Sequence, residues 1–449
     1  MNDKKPSVTV IGGGLAGCEA AWAIANAGIL VDLYEMKPKK HSPAHTSNYL
    51  AELVCSNSLK ARRIDSAAGL LKEEMRRLGS LCISAAEQAA VAAGGALAVD
   101  RDLFSGYITK AMEEHPNISV IHEEVTTIPK EGVVVVASGP LTSEALSEDI
   151  QRLCGKGLHF YDAAAPIVMA DSIDKEHAFC ASRYDKNAEE NSQGDYVNCP
   201  MNKEEYEAFH AALVSAEIAP LHGFDKANPD VYEGCMPIEV LAKRGADSIR
   251  FGPMKPVGLR DPKTGHRPWA VLQLRAENNE KTMYNLVGFQ TNLKFPEQKR
   301  VFGMIPALNH AEFVRFGVMH RNTFINSPAF LTAGYHFKLQ DGLFFAGQMT
   351  GVEGYMESAS SGLLAGLNAV RFLKGAVELH LPRTTMMGAL AGFISDKNED
   401  FQPMGANFGV LPPLEKSIRD KRERYGALSH RALADLEQFA VENGIQLVE

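Results

Sequence analysis

The segment Val8-Thr9-Val10-Ile11-Gly12-Gly13-Gly14-Leu15-Ala16-Gly17 runs into Cys18-Glu19-Ala20-Ala21-Trp22-Ala23-Ile24-Ala25, and together they read as a buried strand, a glycine turn and a helix. Gly12, Gly14 and Gly17 stand at G-x-G-x-x-G spacing. In such a unit the first glycine permits the tight turn, the second lets the backbone approach a pyrophosphate, and the third allows close helix–strand packing. The phosphates then sit at a helix N-terminus, where unpaired N–H groups and the helix dipole favour anions. Gly28 is placed to end the helix. A second apolar strand, Val31-Asp32-Leu33-Tyr34-Glu35, ends in an acid 23 positions after Gly12. The dinucleotide fingerprint expects an acid about 20 residues on, bonded to a ribose hydroxyl.

A lone glycine turn is also used by enzymes that bind S-adenosylmethionine. A late segment, Asp341-Gly342-Leu343-Phe344-Phe345-Ala346-Gly347-Gln348, favours FAD instead. It reads as a buried strand ending in glycine, followed by the loop Met349–Tyr355. A helix comes next, with Ala359, Gly362, Leu363, Gly366, Leu367 and Val370 on one small or apolar face. Flavoproteins of the two-dinucleotide-domain type close over the flavin with such a unit. Between the two segments, Val133-Val134-Val135-Val136-Ala137-Ser138-Gly139-Pro140 reads as a strand delivering a further glycine turn to the cofactor. The candidate cofactor contacts are thus Gly12, Gly14, Gly17, Glu35, Gly139, Gly347, Gln348, Gly351 and Glu353.

The expected fold class is α/β. A Rossmann-like FAD-binding domain is expected over 1–165 and 321–449, interrupted by an inserted α+β domain at 166–320 that carries substrate contacts. The insert has a different texture, with charges, Asn and aromatics alternating over short strands such as Trp269–Leu274. Helices are expected over 65–78 and, capped by Asp102, over 103–113. Strands are expected at 120–121 and 132–137.

With 45% hydrophobic and 22% charged residues in 449, the chain has ample material for a large core. No signal-like opening and no apolar run near the ~18 residues of a membrane span is present, so a soluble cytoplasmic protein is expected. Seven cysteines (18, 55, 82, 154, 180, 199, 235) form no C-x-x-C, which argues against a disulfide scaffold, a zinc site and a dithiol reductase. A net charge of −9 argues against indiscriminate nucleic-acid binding but allows a local basic face.

Two cysteines stand apart. Cys55, in Glu52-Leu53-Val54-Cys55-Ser56-Asn57-Ser58-Leu59-Lys60-Ala61-Arg62-Arg63, is followed by three cations, and nearby positive charge favours the nucleophilic thiolate. Cys235, in Val231-Tyr232-Glu233-Gly234-Cys235-Met236-Pro237-Ile238-Glu239, sits in a turn shaped by glycine and proline. A buried, inert thiol is the bland alternative for each.

At these residues the chain resembles the folate- and FAD-dependent tRNA uracil-5-methyltransferases, the TrmFO family, which is related to the GidA-type tRNA-modifying flavoproteins. The resemblance runs nearly end to end. It rests on the glycine turn, Leu53–Ser58, Ala93-Gly94-Gly95-Ala96-Leu97-Ala98-Val99-Asp100-Arg101, Glu233–Pro237, Tyr284–Thr291, Gly317–Thr323 and Ala346–Tyr355. Where the family often has proline before Ala93, this chain has Ala92, with a local effect on the turn expected. The resemblance implies formation of 5-methyluridine at position 54 in the T-loop of tRNA. Methylenetetrahydrofolate would give the carbon, reduced FAD the electrons, and NADPH or NADH would reset the flavin. It implies two catalytic thiols, with Cys235 adding at uracil C6 and Cys55 as general base or acid near the flavin, or with those roles exchanged. It also adds Arg101 to the cofactor contacts. A GidA-like modification of another tRNA uridine, and a non-catalytic flavin-containing tRNA-binding protein, are the competing expectations. No metal or membrane partner is expected, and the oligomeric state stays open.

If tRNA is the partner, a basic face must exist despite the net charge. Candidates are Lys60, Arg62 and Arg63 beside Cys55, Lys243, Arg244 and Arg250 in the insert, and Lys416, Arg419, Lys421, Arg422 and Arg424 near the C-terminus. Tyr284, Phe289 and Tyr355 are candidate stacking platforms, and His320-Arg321-Asn322 a candidate folate or phosphate contact.

Overall fold

The computed structural model describes residues 6–42, 44–155, 158–163, 165–183, 195–219, 236–276, 281, 283–317, 319–397, 401, 403–416 and 418–448. Five parallel strands form one sheet in the spatial order Leu343–Phe345, Val133–Val136, Ser7–Ile11, Leu30–Tyr34, Ile118–Ile121. Val8 pairs with Val31 on one side and Val133 on the other, and Leu343 pairs with Val134. A parallel sheet is covered on both faces, so its strands read as unbroken apolar runs. Val133–Val136 is such a run, with every residue buried.

The helix Leu15–Asn26 begins at the glycine turn, and Gly28 beyond its end takes φ +80°. The late helix Tyr355–Leu373 packs across it, and the small residues named above are the reason it can. A Cβ on Gly362 would stand 2.0 Å from the Ala16 carbonyl oxygen, and one on Gly366 would stand 2.8 Å from the Ala20 Cα.

A second sheet of six strands lies within the segment expected as an insert, in the order Phe179–Cys180, Tyr196–Met201, Ala270–Ala276, Met283–Leu286, Ile167–Met169, Phe313–Arg315. Its pairings are antiparallel throughout. It has its own apolar core around Phe209, Phe289 and Phe302. Leu158–Ala163 and Met319–Phe324, which lead into and out of this region, pair antiparallel with each other. A small antiparallel sheet of Ser58–Ala61, Ala96–Val99 and Ala90–Val91 lies beside the Cys55 segment.

Two local expectations need correction. The helix expected from Leu103 starts at Arg101, and its cap is Asp100, whose carboxylate accepts the N–H groups of Asp102 and Leu103. The earlier acid wins because the extended backbone of strand Ala96–Val99 continues to residue 100, leaving Asp102 already inside the first turn. Phe289 is fully buried between Phe209 and Phe302, so it offers no stacking face to an RNA base. No helix among the described residues is long and apolar enough to cross a membrane.

Candidate functional site

The C-terminal ends of the parallel strands open into one cleft, the position where open α/β sheets bind ligands. Gly12 and Gly14 line it from the first turn, Glu35 from the end of the second strand, and Gly139 from the turn after Val133–Val136. Gly347 and Gln348 line it from the late segment, and Cys55 and Tyr355 close one wall. Its empty volume, open mouth included, is about 1290 Å³. Its lining runs from the first glycine turn to the late segment, a span that suits an extended ligand.

The donor set suits a dinucleotide. Gly14 caps the first helix with no side-chain bond, which leaves the opening N–H groups of that helix for a ligand. A Cβ on Gly14 would meet nothing within 4 Å, so the space above the turn is open. One on Gly12, at φ +107°, would strike the Ala137 carbonyl oxygen at 2.6 Å. The Glu35 carboxylate accepts the Gly13 N–H at 2.8 Å and the Lys37 N–H at 3.0 Å, which fixes its oxygens at the cleft edge.

Four of the other expected cofactor contacts serve the frame. Gly17 lies behind the turn, where a Cβ would stand 1.8 Å from the Gly12 carbonyl oxygen. Arg101 donates to the Leu53 carbonyl at 2.6 Å and so holds the loop that leads to Cys55. Gly351 sits against Phe401, whose ring a Cβ would meet at 2.3 Å. Glu353 is buried and accepts both of its 3.0 Å contacts from the Gln348 amide, and so orients a residue that does line the cleft.

Cys55 is half-buried, and its loop is tied on three sides. The Tyr355 hydroxyl accepts the N–H groups of Cys55 and Ser56. Burial, then the neighbouring Cys55, pushes the Tyr355 phenol well above its ordinary pKa, so it stays a neutral hydroxyl. From the second sheet, Arg275 donates to the Ser56 hydroxyl at 2.6 Å and to the side-chain amide oxygen of Asn57 at 2.9 Å. Asn57, fully buried, donates in turn to the carbonyls of Ala276 and Val99. Lys60, at φ +64°, pairs with the buried Glu357 at 2.6 Å. Below it, Lys72 donates to the Leu59 and Ala68 carbonyls, and burial lowers its pKa to about 8.

The sequence reading did not single out Lys37, Glu52 or His45, which also line the cleft. Lys37 is buried, donates to the Tyr49 carbonyl and pairs with Glu52 at 3.5 Å. Burial, aided by the Lys37 charge, lowers the His45 pKa. A cation two residues after the fingerprint acid was the one available signal. Cys235 lies outside the described residues. Met236 and Pro237 follow it, and the helix Ile238–Ala242 is anchored by Glu239, whose carboxylate accepts from Thr291 and Asn292. The backbone of His320, Arg321 and Asn322 is in a strand, and their side chains lie outside the described residues.

Two of the basic groups meet. Asp65 pairs with Arg63 at 3.2 Å and with Arg422 at 3.5 Å, which brings the start of helix Lys421–Asn443 beside the strand that follows Cys55. Arg250 sits apart from them, in the second-sheet region.

Residues 7–377 match the family described as Glucose inhibited division protein A. A Lactobacillus johnsonii protein named methylenetetrahydrofolate–tRNA-(uracil-5-)-methyltransferase TrmFO is 57% identical over 438 residues, 97% of this chain and 98% of that protein. An Enterococcus faecalis protein of the same name is 58% identical over 428 residues, 95% of this chain and 97% of that one. Among solved structures, Aquifex aeolicus GidA superposes with a TM-score of 0.71 at 18% identity, covering 98% of this chain and 74% of its own, a likeness of fold.

Proposed function

The chain belongs to the Glucose inhibited division protein A family and, within it, to the TrmFO group, and from that premise we propose that it is a folate-dependent tRNA uracil-5-methyltransferase. Its substrates are then methylenetetrahydrofolate and a uridine of tRNA, the T-loop position 54, with FAD bound in the cleft and NADPH or NADH as reductant. The observation that carries this reading is a thiol, Cys55, on the wall of the same cleft as the glycine turn. A dinucleotide site alone would fit any flavoprotein. A tethered cysteine beside it fits uracil chemistry.

The first-helix N–H groups and the turns at Gly12 and Gly14 would hold the pyrophosphate, and Glu35 a ribose hydroxyl. The bound flavin, once reduced, supplies the electrons that bring a carbon at the formaldehyde level to a methyl group.

The protein supplies thiols and order. Uracil C5 is a poor nucleophile, and addition of a thiolate at C6 gives an enolate whose C5 attacks the one-carbon unit that methylenetetrahydrofolate supplies. We assign that addition to Cys235. Cys55, held in the cleft by Tyr355 and Arg275, takes the C5 proton, and elimination then frees the thiol and restores the ring. With the two roles exchanged the proton balance is the same.

The test is an assay on unmodified tRNA transcript. Yellow protein that forms 5-methyluridine only with methylenetetrahydrofolate, and loses it in Cys235→Ala and Cys55→Ala, is the expected result. 5-Fluorouridine RNA, trapped covalently by one variant and not the other, names the attacking thiol. Methylation that survives both substitutions would overturn the reading.

A further inference from the structure

Residues 236–269 carry seven Lys and Arg against three Asp and Glu, in a chain whose net charge is −9. One of those acids, Glu239, is buried and bonded to Thr291 and Asn292, so the solvent-facing balance is more positive still. Lys243, Arg244, Arg260, Lys263 and Arg267 are exposed. An aromatic group stands on this same stretch. The Arg250 guanidinium lies 4.5 Å from the Phe251 ring centre and 4.2 Å from that of Trp269, and its Nε also pairs with Asp247 at 2.8 Å. Phe251 is 69% exposed and Trp269 37% exposed. Lys203 reaches over the Trp269 ring at 5.7 Å.

An exposed phenyl ring costs solubility and contributes nothing to the core, whose nearest members here are Ile249 and Met254. Aromatic faces interleaved with cations are what single-stranded nucleic acid needs: rings on which bases stack, and charges that follow the phosphates. The patch is also remote from the cleft. Trp269 precedes strand Ala270–Ala276, and Arg275 at the far end of that strand bonds Ser56 and Asn57 beside Cys55. Six residue steps of about 3.3 Å put roughly 20 Å between the two ends.

We propose that this face, with Phe251 and Trp269 about Arg250 at its centre, is a second RNA contact of the enzyme. It stacks a nucleotide of tRNA other than the reacting uridine, while Lys243 and its neighbouring cations hold the backbone. The proposal rests on the functional reading above. At that distance the patch acts on docking and leaves the chemical step alone.

The test uses the flavin-loaded full chain and unmodified tRNA transcript, with binding followed at several salt concentrations. Phe251→Ala, a change on an exposed side chain, is expected to weaken binding about 5- to 100-fold. KM rises, kcat holds, and the flavin absorbance is unchanged. Phe251→Trp restores affinity. Lys243→Ala lowers the slope of log affinity against log salt by about 1. The chain has two tryptophans, so in a Trp22→Phe background the fluorescence reports Trp269 alone, and tRNA quenches it. Wild-type affinity and salt slope in both variants, with no quenching, would overturn the patch while methylation by the parent enzyme leaves the functional reading standing. Wild-type protein that binds no tRNA would overturn both.

Discussion

The Tyr355 hydroxyl accepts the backbone N–H of Cys55 at 2.8 Å across 300 residues of chain. It accepts the Ser56 N–H at 3.0 Å as well, so one phenol oxygen sets the path of the backbone on which the thiol sits. Tyr355 is the first residue of the late helix that packs on the dinucleotide helix. The position of the thiol relative to the cofactor turn is thereby fixed through one rigid pair of helices.

Tyr355→Phe keeps the ring and removes the acceptor. Two N–H groups lose their partner, at about 1–3 kcal/mol for each that stays buried. The expected outcome is a fall in kcat on the order of 10-fold or more with flavin content retained. It is read from steady-state rates beside the visible spectrum. Unchanged kcat would show that the hydroxyl does not position Cys55.

The glycines of the fingerprint separate by what lies behind them. Gly17→Ala drives a methyl to 1.8 Å from the Gly12 carbonyl oxygen, in backbone that has no room to move. Gly14→Ala meets nothing within 4 Å of protein. Gly17→Ala is therefore expected to lower the melting temperature of the apoprotein by several degrees or prevent folding. Gly14→Ala apoprotein melts like wild type and binds FAD at least about 10-fold more weakly, because the added methyl occupies ligand space. Thermal melts and FAD titration of the apoproteins separate the two, and equal flavin affinity in Gly14→Ala would remove that glycine from the site.

The contrast shows what was legible in the sequence. The glycine turn, the acid at 35 and the late strand are local patterns, each set by backbone needs that a few neighbouring residues express. The fingerprint spacing already assigns Gly17 to packing, which matches the 1.8 Å approach of a Cβ there to the Gly12 carbonyl oxygen. Gly351 and Glu353 lie in the late loop, where no such spacing distinguishes a residue that packs on Phe401 or holds Gln348 from one that faces a ligand. Phe289 looked like a platform because aromatic residues mark both cores and RNA sites, and only burial separates them. The ties that hold Cys55, from Tyr355, Arg275 and Arg101, join distant parts of the chain and leave no local mark. Lys37 was missed because a buried cation beside a cofactor site reads, in sequence, like any surface charge, and His45 because a half-buried imidazole leaves no local mark.

Glu35→Gln tests the ribose contact. The carboxylate accepts two backbone N–H groups, from Gly13 and Lys37, and an amide can accept only with its single oxygen. The expected outcome is flavin lost on purification, with FAD affinity down about 10- to 100-fold, and a loss of apoprotein stability of about 1–3 kcal/mol. Titration of apoprotein with FAD and denaturant melts measure the two effects. A yellow variant with wild-type affinity would place the ribose elsewhere.

Glu74 gives a pH dependence with a definite sign. It is fully buried, accepts the Met386 and Met387 N–H groups that open helix Met386–Ser395, and burial raises its pKa from 4.5 to about 8. A carboxyl whose folded pKa lies above its unfolded value contributes fully below pH 4.5. That contribution is lost as pH rises toward 8, because the unfolded chain ionises first. The span corresponds to roughly 4–5 kcal/mol as an order of magnitude. Glu74→Gln removes the titration, and its amide leaves one N–H short of an acceptor at every pH. Wild type is therefore expected to be the more stable protein at pH 5, with the gap closing or reversing by pH 8. Urea unfolding of both proteins at the two pH values measures it. A gap that stays constant between them would mean that Glu74 is already ionised in the folded protein, held as a carboxylate by the two N–H groups.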